Sequence, residues 1–133
     1  MSTYGLARTD SASTFSVAVD LQEGAAVFHV RGEVTGATAA GLRLELRGAI
    51  GQPAVLLDLS GVQFIDSLGF GSLIWVLRKI HEHGGVVAIS GADARRGVAA
   101  AMTGSGLDRL VFLTSTATEG LAWLLGAHDR VAP

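Results

Sequence analysis

Asp66-Ser67 is the point in this chain where residue type and position together suggest a task. An apolar run, Val55–Leu59 and then Val62–Ile65, ends there, and a helical pattern begins at about Leu68. A carboxylate or hydroxyl at such a junction accepts hydrogen bonds from the unpaired N–H groups of a first helical turn, and either residue could serve. At 100° per residue, Phe70, Leu73, Ile74, Leu77 and Ile80 form the stripe that faces a core. Leu68, Ser72, Trp75 and Lys79 fall on the opposite, outward side. A leucine and a tryptophan beside a serine on an exposed face suit a docking patch. The alternative is that Trp75 covers a neighbouring element or the N-terminal tail. Gly69 and Gly71 each cost a helix about 1 kcal/mol relative to alanine. Their presence implies close backbone approach, by a neighbouring strand or by a partner.

Other chemistries lack their residues. Gly69-Phe-Gly71 has neither the third glycine of a dinucleotide loop nor the lysine of a P-loop. No Gly-x-Ser-x-Gly elbow is present. His81 and His83, two apart, do not share a helix face; His29 lies in a strand pattern and His128 near the end. No His-Glu-x-x-His spacing exists, so no metal is expected. Asp58 and Asp66 give no acid–base pair that spacing alone supports. Cysteine is absent, which removes disulfides, thiolate metal sites and cysteine nucleophiles. The expectation is a protein without catalysis and without a cofactor.

The elements that must hold Asp66-Ser67 follow from periodicity. Phe15–Val19 alternates as a half-buried strand, Gln22-Glu-Gly24 turns, and Ala25–Gly32 returns as a second strand. Thr38 precedes a helical spacing of Ala39, Leu42, Leu46 and Ile50, which Gly51-Gln-Pro53 breaks. Ala54–Leu59 reads as a buried strand that Ser60-Gly61 loosens. The second helix spans about Leu68 to His83 and stops at Gly84-Gly85. Val86–Ser90 is another buried strand, and Asp93 can cap a helix over Ala94–Thr103 that Gly104-Ser-Gly106 ends. Leu110–Leu113 is a short last strand. Thr116 and Glu119 have capping-box spacing ahead of a final helix over Gly120–Leu125. The order β-β-α-β-α-β-α-β-α predicts an α/β fold with a mixed, mostly parallel sheet of about five strands and about four helices.

The chain has 133 residues, 49% hydrophobic and 17% charged, which suits one domain with a real core. Residues 1–12 read as a flexible tail, 13–126 as the domain and 127–133 as a second tail. A formal charge of −2 gives no electrostatic case for nucleic acid or a membrane surface. No apolar run approaches the roughly 20 residues of a membrane span, and residues 1–14 lack a signal-peptide core. The expected compartment is the cytoplasm.

With these residues in view, the chain resembles the STAS domain of bacterial anti-sigma factor antagonists. That family pairs an early Gly-Glu-Leu-Asp segment with a later strand leading into Asp-Ser-Ser-Gly-Leu-Gly at a helix start. Here the early segment is Gly32-Glu-Val-Thr35, and the later one is Val62-Gln-Phe-Ile-Asp-Ser-Leu-Gly-Phe-Gly71. Gly106-Leu107 and Val111-Phe112 continue the rhythm, so the resemblance covers roughly residues 13–126. It implies a STAS-like fold and a phosphorylation switch at Ser67. Unmodified, such a domain docks on an anti-sigma factor, often a serine kinase, and so frees a sigma factor; the kinase phosphorylates the serine, and a phosphatase resets it. The implied docking surface comprises Asp66, Ser67, Leu68, Gly69, Ser72 and Trp75, with Thr35, Gly36 and Ala37 along one border and Ser90, Gly91 and Ala92 along another. Phosphate adds about −1.5 to −2 charges, so it would act at that interface through bulk and charge.

Two positions depart from the family pattern. Thr35 replaces an aspartate and loses an ion-pair option; Leu68 replaces a second serine and leaves Ser67 as the motif's sole acceptor. A second reading keeps the fold and makes the chain a scaffold or adaptor of a larger assembly, with Leu68 and Trp75 as a constitutive interface. A nucleotide-binding reading is disfavoured by the missing phosphate loop.

Overall fold

A computed structural model describes residues 15–22, 24–92, 106 and 111–131. The first strand, β1 (Phe15–Gln22), runs further than its alternating pattern, because it stays paired with β2 (Ala25–Val34) up to the turn at Gly24. Gly24 has φ of +79°, a conformation that favours glycine and closes the hairpin. After β2 comes α1 (Ala39–Glu45), shorter than the spacing to Ile50 implied. It tightens into a 3₁₀ turn over Arg47–Ala49, which still buries Leu46 and Ala49.

The strand β3 (Ala54–Ile65) has 12 residues and absorbs Ser60-Gly61 instead of ending there. Its parallel pairing with β2 shifts register between His29 and Arg31 and again between Gly32 and Glu33. Such irregularities bend a strand without ending it. The register then brings Ile65 opposite Val34, so the two strands deliver Thr35 and Asp66 side by side. The helix α2 (Ser67–Glu82) follows at once. It stops as expected: the Gly84 N–H donates to the His81 carbonyl at 2.9 Å and the Gly85 N–H to the Ile80 carbonyl at 2.9 Å. The remaining elements are β4 (Val86–Ser90), β5 (Val111–Thr114) and α3 (Ala117–Val131).

The five strands lie in the order β1-β2-β3-β4-β5, with β1 antiparallel and the others parallel. One sheet face carries Phe28, Val30, Leu57, Leu59 and Ile89 against Leu42 of α1 and Leu73, Val76, Leu77 and Ile80 of α2. The other carries Ala25, Val27, Leu56 and Ala88 against Leu124 of α3. The result is the expected α/β architecture, with three described helices in place of about four. The helix expected over Ala94–Thr103 lies outside the described residues. The capping box of α3 forms: the Glu119 N–H donates to Thr116 Oγ1 at 3.1 Å, and the Thr116 N–H donates to Glu119 Oε1 at 3.4 Å. The helix starts at Ala117 and reaches Val131, well past Leu125. Among the described residues no helix is long and apolar enough to cross a membrane.

Candidate functional site

Asp66 settles which residue caps α2. Its Oδ1 accepts the Gly69 N–H at 2.7 Å, and its Oδ2 accepts the Gly36 N–H at 3.3 Å. Its own N–H donates to the Val34 carbonyl at 3.1 Å. One carboxylate therefore joins the end of β2, the loop after it and the first turn of α2. Ser67 is then spared capping duty. It is exposed at the first helical position, and its hydroxyl has no hydrogen-bond partner among the described residues.

The loop beside it holds itself together with hydroxyls. The Thr35 N–H donates to Thr38 Oγ1 at 2.9 Å, Thr38 Oγ1 donates to the Glu33 carbonyl at 2.8 Å, and the Ala37 N–H donates to Thr35 Oγ1 at 3.2 Å. The Thr35 side chain thus closes its own turn, as a carboxylate there can also do. What the departure from aspartate removes is charge at the rim. Gly36 and Ala37 are exposed, and a Cβ on Gly36 would lie 2.8 Å from Leu68 Cδ1, so this loop does border Leu68.

Between α1 and the outer side of α2 lies an open groove of about 540 Å³, lined by Gly36, Ala39, Arg43, Ser67, Leu68, Gly71, Ser72 and Trp75. Leu68 is 68% exposed and Trp75 43%, so the apolar patch expected on this face is present. The Lys79 ammonium stands 5.7 Å from the Trp75 ring centroid, over one side of the indole.

Ser72 is a correction to the helical wheel. It is buried, not outward: Arg43 Nη1 donates to its Oγ at 2.5 Å, and that Oγ reaches the Ala39 carbonyl at 3.5 Å. It joins the two helices at the floor of the groove. Gly69 is buried too, and the close approach it permits is internal. A Cβ there would fall 2.0 Å from the Val34 carbonyl oxygen. Gly71, by contrast, is exposed, and a Cβ at that position would meet no heavy atom within 4 Å.

Ser90, Gly91 and Ala92 are all buried and offer no exposed border. Ser90 turns to the α3 side of the sheet, opposite the groove, where His29, Asp58, Ser90 and Thr114 stand in register across four strands. His29 Nδ1 lies 2.8 Å from Asp58 Oδ2, and Ser90 Oγ donates to Asp58 Oδ1 at 3.2 Å. Gly91, at φ of +82°, packs its backbone on Ser60. Burial pushes the Asp58 carboxyl up, but the backbone N–H and hydroxyl of Ser60 and the His29 ring outweigh it and hold the group below its ordinary value.

A lowered carboxylate contributes stability that is present above its unfolded-state value, near pH 4, and is lost as pH falls through the folded value. Asp58→Asn should therefore flatten the acid limb below about pH 4, where the Glu119 carboxyl, also lowered, leaves a residual slope. Urea unfolding midpoints taken at descending pH check this. Equal acid slopes for wild type and Asp58→Asn would refute it.

The STAS domain model matches residues 16–122, and the chain belongs to that family. Among solved structures, an anti-sigma factor antagonist from Mycobacterium paratuberculosis shares 27% identity at a TM-score of 0.67, over 83% of this chain and 93% of its own. RsbS of Moorella thermoacetica superimposes at a TM-score of 0.70 with 20% identity, covering 85% of this chain and 97% of its own. SpoIIAA of Bacillus, in its phosphorylated form, gives 0.61 and 19%, covering 87% and 99%. At those identities the last two share the fold. No curated protein matches the sequence.

Sequence reasoning left Arg43 out of the site. The signal for Arg43 was its place four residues after Ala39, on the same side of α1; only the packing of α1 along α2 turns that into a groove wall.

Proposed function

We propose that this chain is an anti-sigma factor antagonist, a protein–protein switch without chemistry of its own. Its partner is an anti-sigma factor of the serine-kinase type, and its docking surface is the groove face with Leu68 and Trp75. Ser67 is the phosphate acceptor, and a phosphatase restores the binding form. The observation that carries this reading is the Ser67 hydroxyl, exposed and, among the described residues, without a hydrogen-bond partner at the rim of a groove with two exposed apolar side chains. Support comes from the family and from structural relatives described as anti-sigma factor antagonists, one of them solved in a phosphorylated form. The reading places the chain in the cytoplasm, with the sigma factor it frees.

Phosphate at Ser67 need not unfold the domain. A first-turn position favours negative charge through the helix dipole, and Asp66 already holds the loop and the Gly69 N–H. Its effect then falls on whatever occupies the groove. The test is capture from native lysate on two baits, wild type and Ser67→Asp, with bound proteins identified by mass spectrometry. A kinase-like anti-sigma factor held by wild type and lost from Ser67→Asp is the expected result. The same partners on both baits would remove the switch and favour a constitutive adaptor.

A further inference from the structure

Arg43 is the charged residue among those lining the groove with Ser67. It comes from α1, whereas Ser67 opens α2. Its one hydrogen bond among the described residues is to the neutral hydroxyl of Ser72, at 2.5 Å, and no carboxylate pairs with it there. The carboxylate of Asp66, next to Ser67 in the chain, is engaged on both oxygens by the Gly69 and Gly36 N–H groups. A planar guanidinium with five donors thus stands half-exposed on a single uncharged acceptor, although its fork is shaped for carboxylate or phosphate.

We propose that Arg43 is the receiver of the Ser67 phosphate: once Ser67 is modified, the guanidinium leaves Ser72 and pairs with the phosphate across the groove. This rests on the reading of Ser67 as the phosphate acceptor. Arg43, Ser67 and Ser72 line one groove, and from Ser67 to Ser72 the helix advances about 7.5 Å along its axis, so a long arginine side chain and a phosphoserine both extend into the same space. Opposite charges add Coulomb attraction to hydrogen bonds that Ser72 supplies without a charge. Ser72 keeps its contact to the Ala39 carbonyl when the arginine swings. Modification then does two things to a partner. It fills the groove between Leu68 and α1, and it withdraws the groove cation from any carboxylate the partner offers.

The experiment uses the full chain with phosphoserine installed at position 67 during translation, so it needs neither kinase nor partner. The second ionisation of the phosphate is followed by ³¹P NMR across a pH titration. An adjacent arginine favours the dianion, so its pKa should lie lower in the wild-type background than in Arg43→Gln by about 0.5 unit or more. Arg43→Lys, which keeps the charge without the fork, should fall between them and serves if Arg43→Gln folds poorly. Equal values in wild type, Arg43→Gln and Arg43→Lys would overturn the assignment. Should the lysate capture find no kinase, the functional reading fails while this titration still reports on Arg43.

Discussion

Gly69→Ala should destabilise the domain by about 3 kcal/mol or more, at the upper end of what overpacking costs. The added methyl would sit 2.0 Å from the Val34 carbonyl oxygen, 2.3 Å from its carbon and 2.7 Å from the Thr35 nitrogen. All three are backbone atoms, so no side chain can rotate out of the way. Relief requires moving the first turn of α2 off β2. That in turn breaks the Asp66 N–H bond to Val34, at 3.1 Å, and the Asp66 contact to the Gly36 N–H. The same helix supplies the control. Gly71→Ala meets no heavy atom within 4 Å and replaces a poor helix former by the best one. It should stabilise by up to about 1 kcal/mol. Urea unfolding of the pair checks both signs. A Gly69→Ala domain within about 1 kcal/mol of wild type would mean that α2 does not rest on β2 in this way.

These two glycines show how far sequence carries. Their helix-breaking cost signalled close approach at both, and neither spacing nor composition told an internal strand from open solvent. The sequence of strands and helices along the chain, the hairpin and the start of α2 at Asp66-Ser67 were legible because each depends on local period and local caps. The sheet topology that brings Thr35 beside Asp66 depends on two register shifts within the β2–β3 pairing, and nothing in Ser60-Gly61 distinguishes a bend from an end. Ser72 was misplaced for a related reason. A helical wheel recognises one buried stripe, whereas α2 packs on the sheet and on α1, so two sectors are covered. Ser90 sits in a run of buried residues, and its partner Asp58, on the neighbouring strand, emerges only with the register. The departure at Thr35 looked like a lost contact; in the fold its hydroxyl closes the loop, and the loss is confined to charge.

Under the proposed function, Trp75→Ala should lower affinity for the partner that wild type captures about 30-fold or more, the scale of an aromatic hot spot. Stability should change little. Among the described residues the indole belongs to neither apolar cluster; it is 43% exposed, and the Lys79 ammonium stands over its ring. Its area is thus available to a partner, and it lines the groove that begins at Ser67. Trp123 makes the opposite case. It stacks on Phe112 with ring centroids 4.5 Å apart and an interplanar angle of 6°, packed against the cluster beneath α3. Trp123→Ala should lower stability through lost packing and leave affinity at temperatures below its unfolding near wild type. Isothermal titration with the captured partner, paired with urea unfolding of both variants, separates the two roles. If Trp75→Ala binds as wild type does, the groove face is not where the partner docks. A loss of affinity in Trp75→Ala with unchanged unfolding, set against the reverse in Trp123→Ala, fixes docking to the α1–α2 side of the sheet. On that side the proposed phosphate at Ser67 would meet the partner directly, and the switch would need no conformational relay through the core.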